Sequence, residues 1–563
     1  MLRYATVKQR IVLAPDSGNA GITNILWEVV EMYQDKKLYI GKAGEEKVYI
    51  YPRMANRHGM IAGATGTGKT ITLKVLAESF SDCGVPVFLA DAKGDLAGMC
   101  KPGVMNDNLQ GRIERFDLAS AGFDFHAYPT TFWDVYQEKG ISLRTTISEM
   151  GSLLLSRIMD LNDTQSDIMT IVFKIADDEG ILLIDTKDLR SMLQYVGEKA
   201  KEYSLSYGNI SKQSLGAITR ALVALEAEGG DVFFGEPALD IRDWLGVDQD
   251  GKGRIQVLDC QKLMQSPTMY ATFMLWMMSE LFETLPEAGD LDRPKMVFFF
   301  DEAHMLFESA PKALLSKVEQ VVKLIRSKGV GIYFITQNPQ DIPDGVLSQL
   351  GNKVQHALRA YTPAEQKAPK AVAQSFRENP DFDTYETLIG LGIGEALVSV
   401  LDEEGVPTMV TKCNILSPQS MMGALGDAER RCQIQNNLLY SKYAESVDRD
   451  SAYEFLQRRA LALEEAEQQE KAEEEAAKEA AKAEKERLKE EEKARKAAEK
   501  QALAAEKKVE TEVGKIARSA AGTIGREFGN QIGKSVGGTF GKRLGGNIGA
   551  SLGRGILNTL FRM

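Results

Sequence analysis

Residues Gly63, Ala64, Thr65, Gly66, Thr67, Gly68, Lys69 and Thr70 spell G-x-x-x-x-G-K-[ST], a spacing whose chemistry is the capture of a chain of phosphates. Glycine opens backbone conformations closed to other residues, so successive N–H groups in such a loop can turn toward one anion. A helix beginning at Lys69 would add the positive end of its dipole. Lys69 would then reach the β- and γ-phosphates of a nucleoside triphosphate, and the Thr70 hydroxyl would hold Mg²⁺. The loop requires a strand before it and a helix after it, and 59–62 and 71–76 read as those elements.

A second constellation complements the first. Residues 296–302 read Met-Val-Phe-Phe-Phe-Asp-Glu, an apolar run ending in two acids, as in a buried parallel strand. Ligands of open α/β sheets bind beyond the C-terminal ends of such strands. Asp301 is therefore a candidate Mg²⁺ ligand, directly or through water, and Glu302 a candidate for orienting or deprotonating an attacking water. His304 either couples this site to a moving element or caps the next helix. The strand 331–336 ends at Gln337, which either senses the γ-phosphate and positions water or is ordinary strand-end polarity. Arg359, ending the strand 353–358, carries the same two readings. Asp91 ends the strand 85–91, and Lys93-Gly94-Asp95 places another charged turn at the same edge. Arg326, near the C-terminus of the amphipathic helix 318–328, either serves the helix dipole or projects into a neighbouring subunit's site.

The 563 residues, 26% of them charged, suffice for more than one domain and a large core. Five scattered cysteines without a C-x-x-C pair point to a reducing compartment, and four histidines show no metal-ligand spacing. The N-terminus lacks the apolar core of a signal peptide, and no apolar run approaches the roughly 18 residues of a membrane span. The expected location is cytoplasmic, with peripheral membrane attachment as a further option. The net charge of −12 divides into −14 for 1–463, −5 for 464–513 and +7 for 514–563. An acidic body does not advertise nucleic-acid binding, although a basic channel can sit inside an acidic shell.

Organisation follows from these shifts. We read 1–50 as a short N-terminal segment with strands near 39–40 and 48–51. The first part of an α/β core is 51–103. Residues 104–250 form a mostly helical insertion, on the spacing of Leu153, Leu154, Leu155, Ile158 and Met159, of Ile168, Ile171, Val172 and Ile175, and of Leu215, Ile218, Leu222 and Leu225. The core resumes over 251–417, with a strand at 254–259. A helical connector spans 418–463, and 464–513 is an Ala/Glu/Lys/Arg helix with favourable i,i+4 pairs but no strong coiled-coil seam. In 514–563, glycines fall every fourth residue from Gly525 to Gly553, each after an apolar residue. That is a basic glycine-zipper pattern suited to self-packing or an anionic membrane surface, or a low-complexity tail.

Loop, acidic strand, glutamine strand and terminal arginine, in this order, resemble the HerA/FtsK division of P-loop ATPases, and within it the YjgR-type branch of HerA-like proteins. The resemblance covers about 50–415 and rests on 63–70, 87–95, 297–304, the run 324–330 leading to 336–339, and Leu358-Arg359. It implies an α/β fold, a RecA-like P-loop NTPase core with a parallel sheet between helices, here joined by a mostly helical insertion and a long helical C-terminal arm. It implies ATP and Mg as cofactors, ring hexamers, and ATP-driven movement of a polymer, usually DNA. It assigns phosphate binding to the loop, Mg²⁺ to Thr70 and Asp301, catalysis to Glu302, sensing to Gln337, a trans finger to Arg326 and nucleotide contact to Arg359. The competing class is an ATPase that remodels or anchors protein or membrane partners without acting on DNA. Two departures bear on that choice: 1–50 is shorter than the N-terminal β-barrel domain of many relatives, and the glycine-repeat tail lies outside the shared core.

Overall fold

The computed structural model describes residues 33–116, 118, 123–308, 312–359 and 366–509. The glycine-repeat tail 514–563 and most of 1–50 lie outside the described residues. Thirteen described strands form one sheet: β1 (Tyr33–Gln34), β2 (Lys37–Ala43), β3 (Glu46–Ile50), β4 (Gly59–Ala62), β5 (Val87–Asp91), β6 (Thr130–Asp134), β7 (Ile141–Ser142), β8 (Ile255–Asp259), β9 (Met296–Phe300), β10 (Val330–Thr336), β11 (Asn352–His356), β12 (Glu395–Ser399) and β13 (Thr411–Ile415). Their order is β1-β2-β13-β12-β11-β4-β10-β9-β5-β8-β6-β7, with β3 also on β2. From β11 to β7 every pairing is parallel. The β12, β13 and β2 side is antiparallel. β10 lies between the loop-bearing β4 and the acidic β9, the arrangement of a RecA-like P-loop core.

Burial on both faces explains why the core strands read as unbroken apolar runs. Along β9, Phe298 and Phe300 join one hydrophobic cluster with Phe88, Trp133 and Trp276, while Val297 and Phe299 join the other with Leu76, Phe80 and Val87. Each fully buried phenylalanine contributes about 1.5–3 kcal/mol. The second face is covered by the helix Lys69–Asp82, the first by Pro267–Thr284 and Lys312–Ile325.

The helical insertion is present as Ile147–Ile158, Asp163–Glu179, Thr186–Glu198, Ala200–Tyr207 and Lys212–Leu225. Ile168, Val172, Ile175, Leu215, Ile218, Leu222 and Leu225 are buried as their spacing requires. Leu153 is 58% exposed instead, because Gly151 takes φ 73° and breaks the first helix just before it. The segment 104–250 also supplies β6 and β7 to the sheet, which helical periodicity did not show.

The helix Ala452–Val509 begins against the core, where Ala452 is buried and Arg459 pairs with Glu179 at 2.5 Å. From Leu463 onward the chain forms a second unit. There Glu467–Lys471, Glu474–Lys478 and Glu492–Lys496 pair as spaced, whereas Glu491 turns back to Arg487 at 3.7 Å. Leu488 is 55% exposed. No helix among the described residues is long and apolar enough to cross a membrane.

One buried charge ties the loop-bearing helix to the end of the core. Glu78, fully buried, accepts the N–H groups of Gln419 (2.8 Å) and Ser420 (3.1 Å), and Lys74 on the preceding turn donates to the Met421 carbonyl at 2.7 Å. Burial raises the Glu78 carboxyl above its ordinary value, and Lys74 and the backbone donors oppose that shift. Glu78→Ala leaves these donors buried without an acceptor, so it should destabilise the protein by about 3 kcal/mol. A chemical-denaturation midpoint measured on both proteins checks this; an unchanged midpoint contradicts it.

Candidate active site

The loop 63–70 leaves β4 and wraps onto the ends of its two neighbours. The Gly63 N–H donates to the Thr336 carbonyl of β10 at 3.3 Å, and the Ala64 N–H to the Ala357 carbonyl beyond β11 at 2.9 Å. Gly66 and Gly68 take φ of 76° and 115°, a region that favours glycine. A Cβ at Gly66 would meet nothing within 4 Å, so that turn faces open space. A Cβ at Gly63 would lie 2.5 Å from the His356 Cβ, so close packing behind the loop requires glycine there.

Lys69 opens the helix Lys69–Asp82, and its cap residue Gly68 supplies no side-chain acceptor. The first N–H groups of a helix have no intrahelical partner, so this end is a ready anion site. The Lys69 ammonium donates to the loop's own carbonyls, Gly63 at 2.6 Å and Ala64 at 3.1 Å. Burial pushes it below its ordinary value, and the nearby Glu302 carboxylate works against that shift. Thr67 donates its hydroxyl to Ala64 at 2.7 Å, which tightens the turn. Thr65 is exposed, and Thr70 is half-buried on the first helical turn.

The acids stand across the sheet edge. Asp301 and Glu302 follow β9 and are 4% and 9% exposed. Burial pushes the Asp301 carboxyl up to about 6, with Lys93 lowering it and Glu302 raising it. Burial also works to raise Glu302, but Lys93, Gln337 and His304 outweigh it and hold that carboxyl below its ordinary value. Lys93, in the turn after β5, pairs with Glu302 Oε1 at 2.6 Å. On the other carboxylate oxygen, Gln337 Nε2 donates to Oε2 at 3.4 Å, and His304 Nδ1 lies 3.3 Å away. Glu302 itself has φ 49°, uncommon for a residue with a Cβ.

These residues could hold a magnesium triphosphate. One hydroxyl (Thr70) and one carboxylate (Asp301), completed by phosphate oxygens, make the hard-oxygen set that Mg²⁺ takes, and Gly66 leaves open space beside the loop. Among the described residues no group of three or more His, Cys, Asp or Glu side chains forms a metal cage.

The two arginines separate. Arg359 lies just beyond β11 at the loop's edge, and it donates to the Ile389 carbonyl at 2.9 Å and the Leu391 carbonyl at 3.1 Å. Arg326 stands before the first residue of β10, at the opposite edge of the sheet, about 20 Å from its own loop by the strand's rise. It is exposed, and partial desolvation of its guanidinium and nearby Arg57 hold that group below its ordinary value. The fold therefore brings Gln337 and Glu302 together beside the loop and leaves Arg326 outside its own site.

Two neighbours of the site carried no assignment from sequence. Lys93 was visible only as part of a charged turn, since nothing in a lysine's spacing says which strand end it faces. His356 is fully buried behind the loop, with Nε2 2.7 Å from the Thr72 hydroxyl and Nδ1 2.9 Å from the Glu395 carbonyl. Burial pushes its imidazole down to about 4, so it acts as a neutral support.

The chain is similar to several known proteins. The chain is 20% identical over 385 residues to the DNA double-strand break repair helicase HerA of Sulfurisphaera tokodaii, covering 66% of this chain and 68% of that one. It is 19% identical over 369 residues to the protein of the same name from Sulfolobus acidocaldarius, covering 64% and 65%. Among solved structures, the plasmid coupling protein TrwB in complex with a non-hydrolysable GTP analogue is similar with a TM-score of 0.47 at 14% identity, over 70% of this chain and 93% of that one. The family described as helicase HerA-like C-terminal matches residues 36–544. The chain belongs to that family, and is a HerA/FtsK-type P-loop ATPase.

Proposed function

We propose that this chain hydrolyses ATP with Mg²⁺ at the edge of β4, β9 and β10, and that a neighbouring copy completes the site. The observation that carries this reading is Lys69, folded onto its own loop carbonyls beside an uncapped helix N-terminus and opposite two buried acids. A bound triphosphate offers the ammonium a stronger, charged acceptor than those carbonyls. Thr70 and Asp301 would hold the Mg²⁺, which neutralises charge on the β- and γ-oxygens when bound. Glu302 accepts the proton of the attacking water as oxygen bonds to the γ-phosphorus and the bond to the bridging oxygen breaks, with Gln337 orienting that water. Arg359 lies at the same edge for contact with the nucleotide. Lys69→Ala should abolish nucleotide binding or turnover, whereas Glu302→Gln should bind ATP and lose at least about 100-fold in kcat. Paired binding and turnover assays check both, and robust turnover by Glu302→Gln would refute the role given to that residue.

Arg326 stands at the other end of β10 from its own loop, so its catalytic use requires a second subunit, and the family resemblance makes a hexameric ring the fitting assembly. Mixing Arg326→Ala with Lys69→Ala protein should restore part of the activity that each lacks, because one mixed interface pairs an intact loop with an intact arginine. Verified mixed oligomers that stay inactive would exclude a trans role.

The work done by that ATP is read as movement along nucleic acid in the cytoplasm. The support is family membership and the two relatives named as DNA repair helicases. The charge of −14 on 1–463 favours the competing reading, an ATPase that remodels or anchors protein or membrane partners. The basic repeat 514–563 would serve that reading by self-packing or at a membrane surface. ATPase rates measured with single- and double-stranded DNA across salt concentrations separate the two. A DNA motor should be stimulated, with apparent affinity falling steeply as salt rises. No stimulation by any nucleic acid at low salt would select the competing class.

A further inference from the structure

Lys93 is the charged group at the site that this reading leaves unused. It sits in the turn after β5, next to β9 in the sheet. Its ammonium is 2.6 Å from Glu302 Oε1, and the two side chains are 45% and 11% exposed. The turn is held from below and beside. Asp91 accepts the Gly94 N–H at 2.7 Å and the Leu96 N–H at 3.2 Å, and Gln261 Nε2 donates to the Lys93 carbonyl at 2.7 Å. Gly94 takes φ 78°, a region that favours glycine, and the Gln261 amide packs against it. The lysine stem, by contrast, is long, half-exposed and tethered at its tip by one carboxylate. With its ammonium reachable by solvent, the lysine can exchange that partner for another.

We propose that Lys93 is a positioning residue that detects the third phosphate: it holds Glu302 while the loop carries no γ-phosphate and transfers its ammonium to a γ-phosphate oxygen when a triphosphate binds. The inference rests on the ATPase reading above. Three features argue for it. Lys93 and Gln337 donate to one carboxylate from the ends of the two strands that flank β9, and His304 Nδ1 lies 3.3 Å from it, so both oxygens of Glu302 are engaged in the nucleotide-free chain. A carboxylate whose oxygen is tied to an ammonium is poorly placed to accept a proton from water, so turnover requires that tie to be released. A γ-phosphate is an anion with several acceptor oxygens and can replace a single carboxylate as the partner of an ammonium. The exchange of one partner for another moves no atoms between molecules and needs no further reactant. It makes release of Glu302 conditional on the phosphate that is to be cleaved.

The test uses the full-length protein, with ADP and a non-hydrolysable ATP analogue as probes, each with Mg²⁺. Lys93→Met should leave the Kd for ADP within about twofold and weaken the Kd for the ATP analogue about tenfold, the size of one charge-assisted contact. It should also lower kcat, and Lys93→Arg should restore most of the discrimination between the two nucleotides. A double-mutant cycle sharpens the result. Glu302→Gln should tighten the analogue in the parent chain, where it frees Lys93, by more than it does in the Lys93→Met background. Equal weakening of ADP and analogue by Lys93→Met, no rescue by arginine, or strict additivity in the cycle would each overturn the proposal. Lys69→Ala is run alongside: if it abolishes nucleotide binding while Lys93→Met does not discriminate, only the Lys93 inference fails. A parent protein that binds neither nucleotide overturns both readings.

Discussion

Four aspartates end four adjacent parallel strands, and the chemistry of this protein depends on how each finds a partner. A sheet buried on both faces offers no water until its edge, so Asp134, Asp259, Asp91 and Asp301 are held there at 0–4% exposure. Asp134 is wrapped by the N–H groups of Tyr136, Glu138 and Lys139. Asp259 is paired with Arg430 at 3.0 Å. Asp91 takes two donors from its own turn and sits at about 7 through burial, with Asp95 adding to the shift. Asp301 has the N–H of Glu302 as a backbone donor and otherwise faces the charges of Lys93 and Lys69. Two of the four are thus occupied in building turns and a third in a buried ion pair. The one beside the phosphate loop faces the two lysines, which a magnesium phosphate could replace on the proposed reading.

This arrangement follows from strand order more than from any one residue. With β10 between β4 and β9, Gln337 falls between loop and acids, within 3.4 Å of Glu302. The residues that lead directly into β10, Arg326 among them, lie at the opposite end of that strand. On the proposed reading one edge receives the nucleotide and the other presents an arginine, and head-to-tail packing of identical copies would bring the two together.

Much of this was legible in the sequence because it is written in short, local patterns. The loop motif, the run ending in Asp301 and Glu302, and the strands at 85–91, 254–259, 331–336 and 353–358 were all visible as apolar runs with polar ends. The strands β6, β12 and β13 were not, since Thr130–Asp134, Glu395–Ser399 and Thr411–Ile415 mix polar residues into short segments whose strand character comes from their neighbours in the sheet. The outward turn of Leu153 was hidden for a similar reason: spacing predicts a continuous helix, and a single glycine interrupts it. Lys93 and His356 show the other limit. Their meaning is a matter of which strand ends lie side by side, and the chain order β4, β5, β8, β9, β10, β11 does not disclose the spatial order β11-β4-β10-β9-β5-β8.

The central claim is that the edge between 63–70 and Asp301–Glu302 is a magnesium-triphosphate site whose lysine waits on its own loop. A crystal structure of the full-length protein with a non-hydrolysable ATP analogue and Mg²⁺ tests it most directly. The account predicts phosphates enclosed by 63–70, the Lys69 ammonium moved from the Gly63 and Ala64 carbonyls to the phosphates, and the metal between Thr70 and Asp301. A nucleotide bound elsewhere, or one bound here with Lys69 still on those carbonyls, would contradict it.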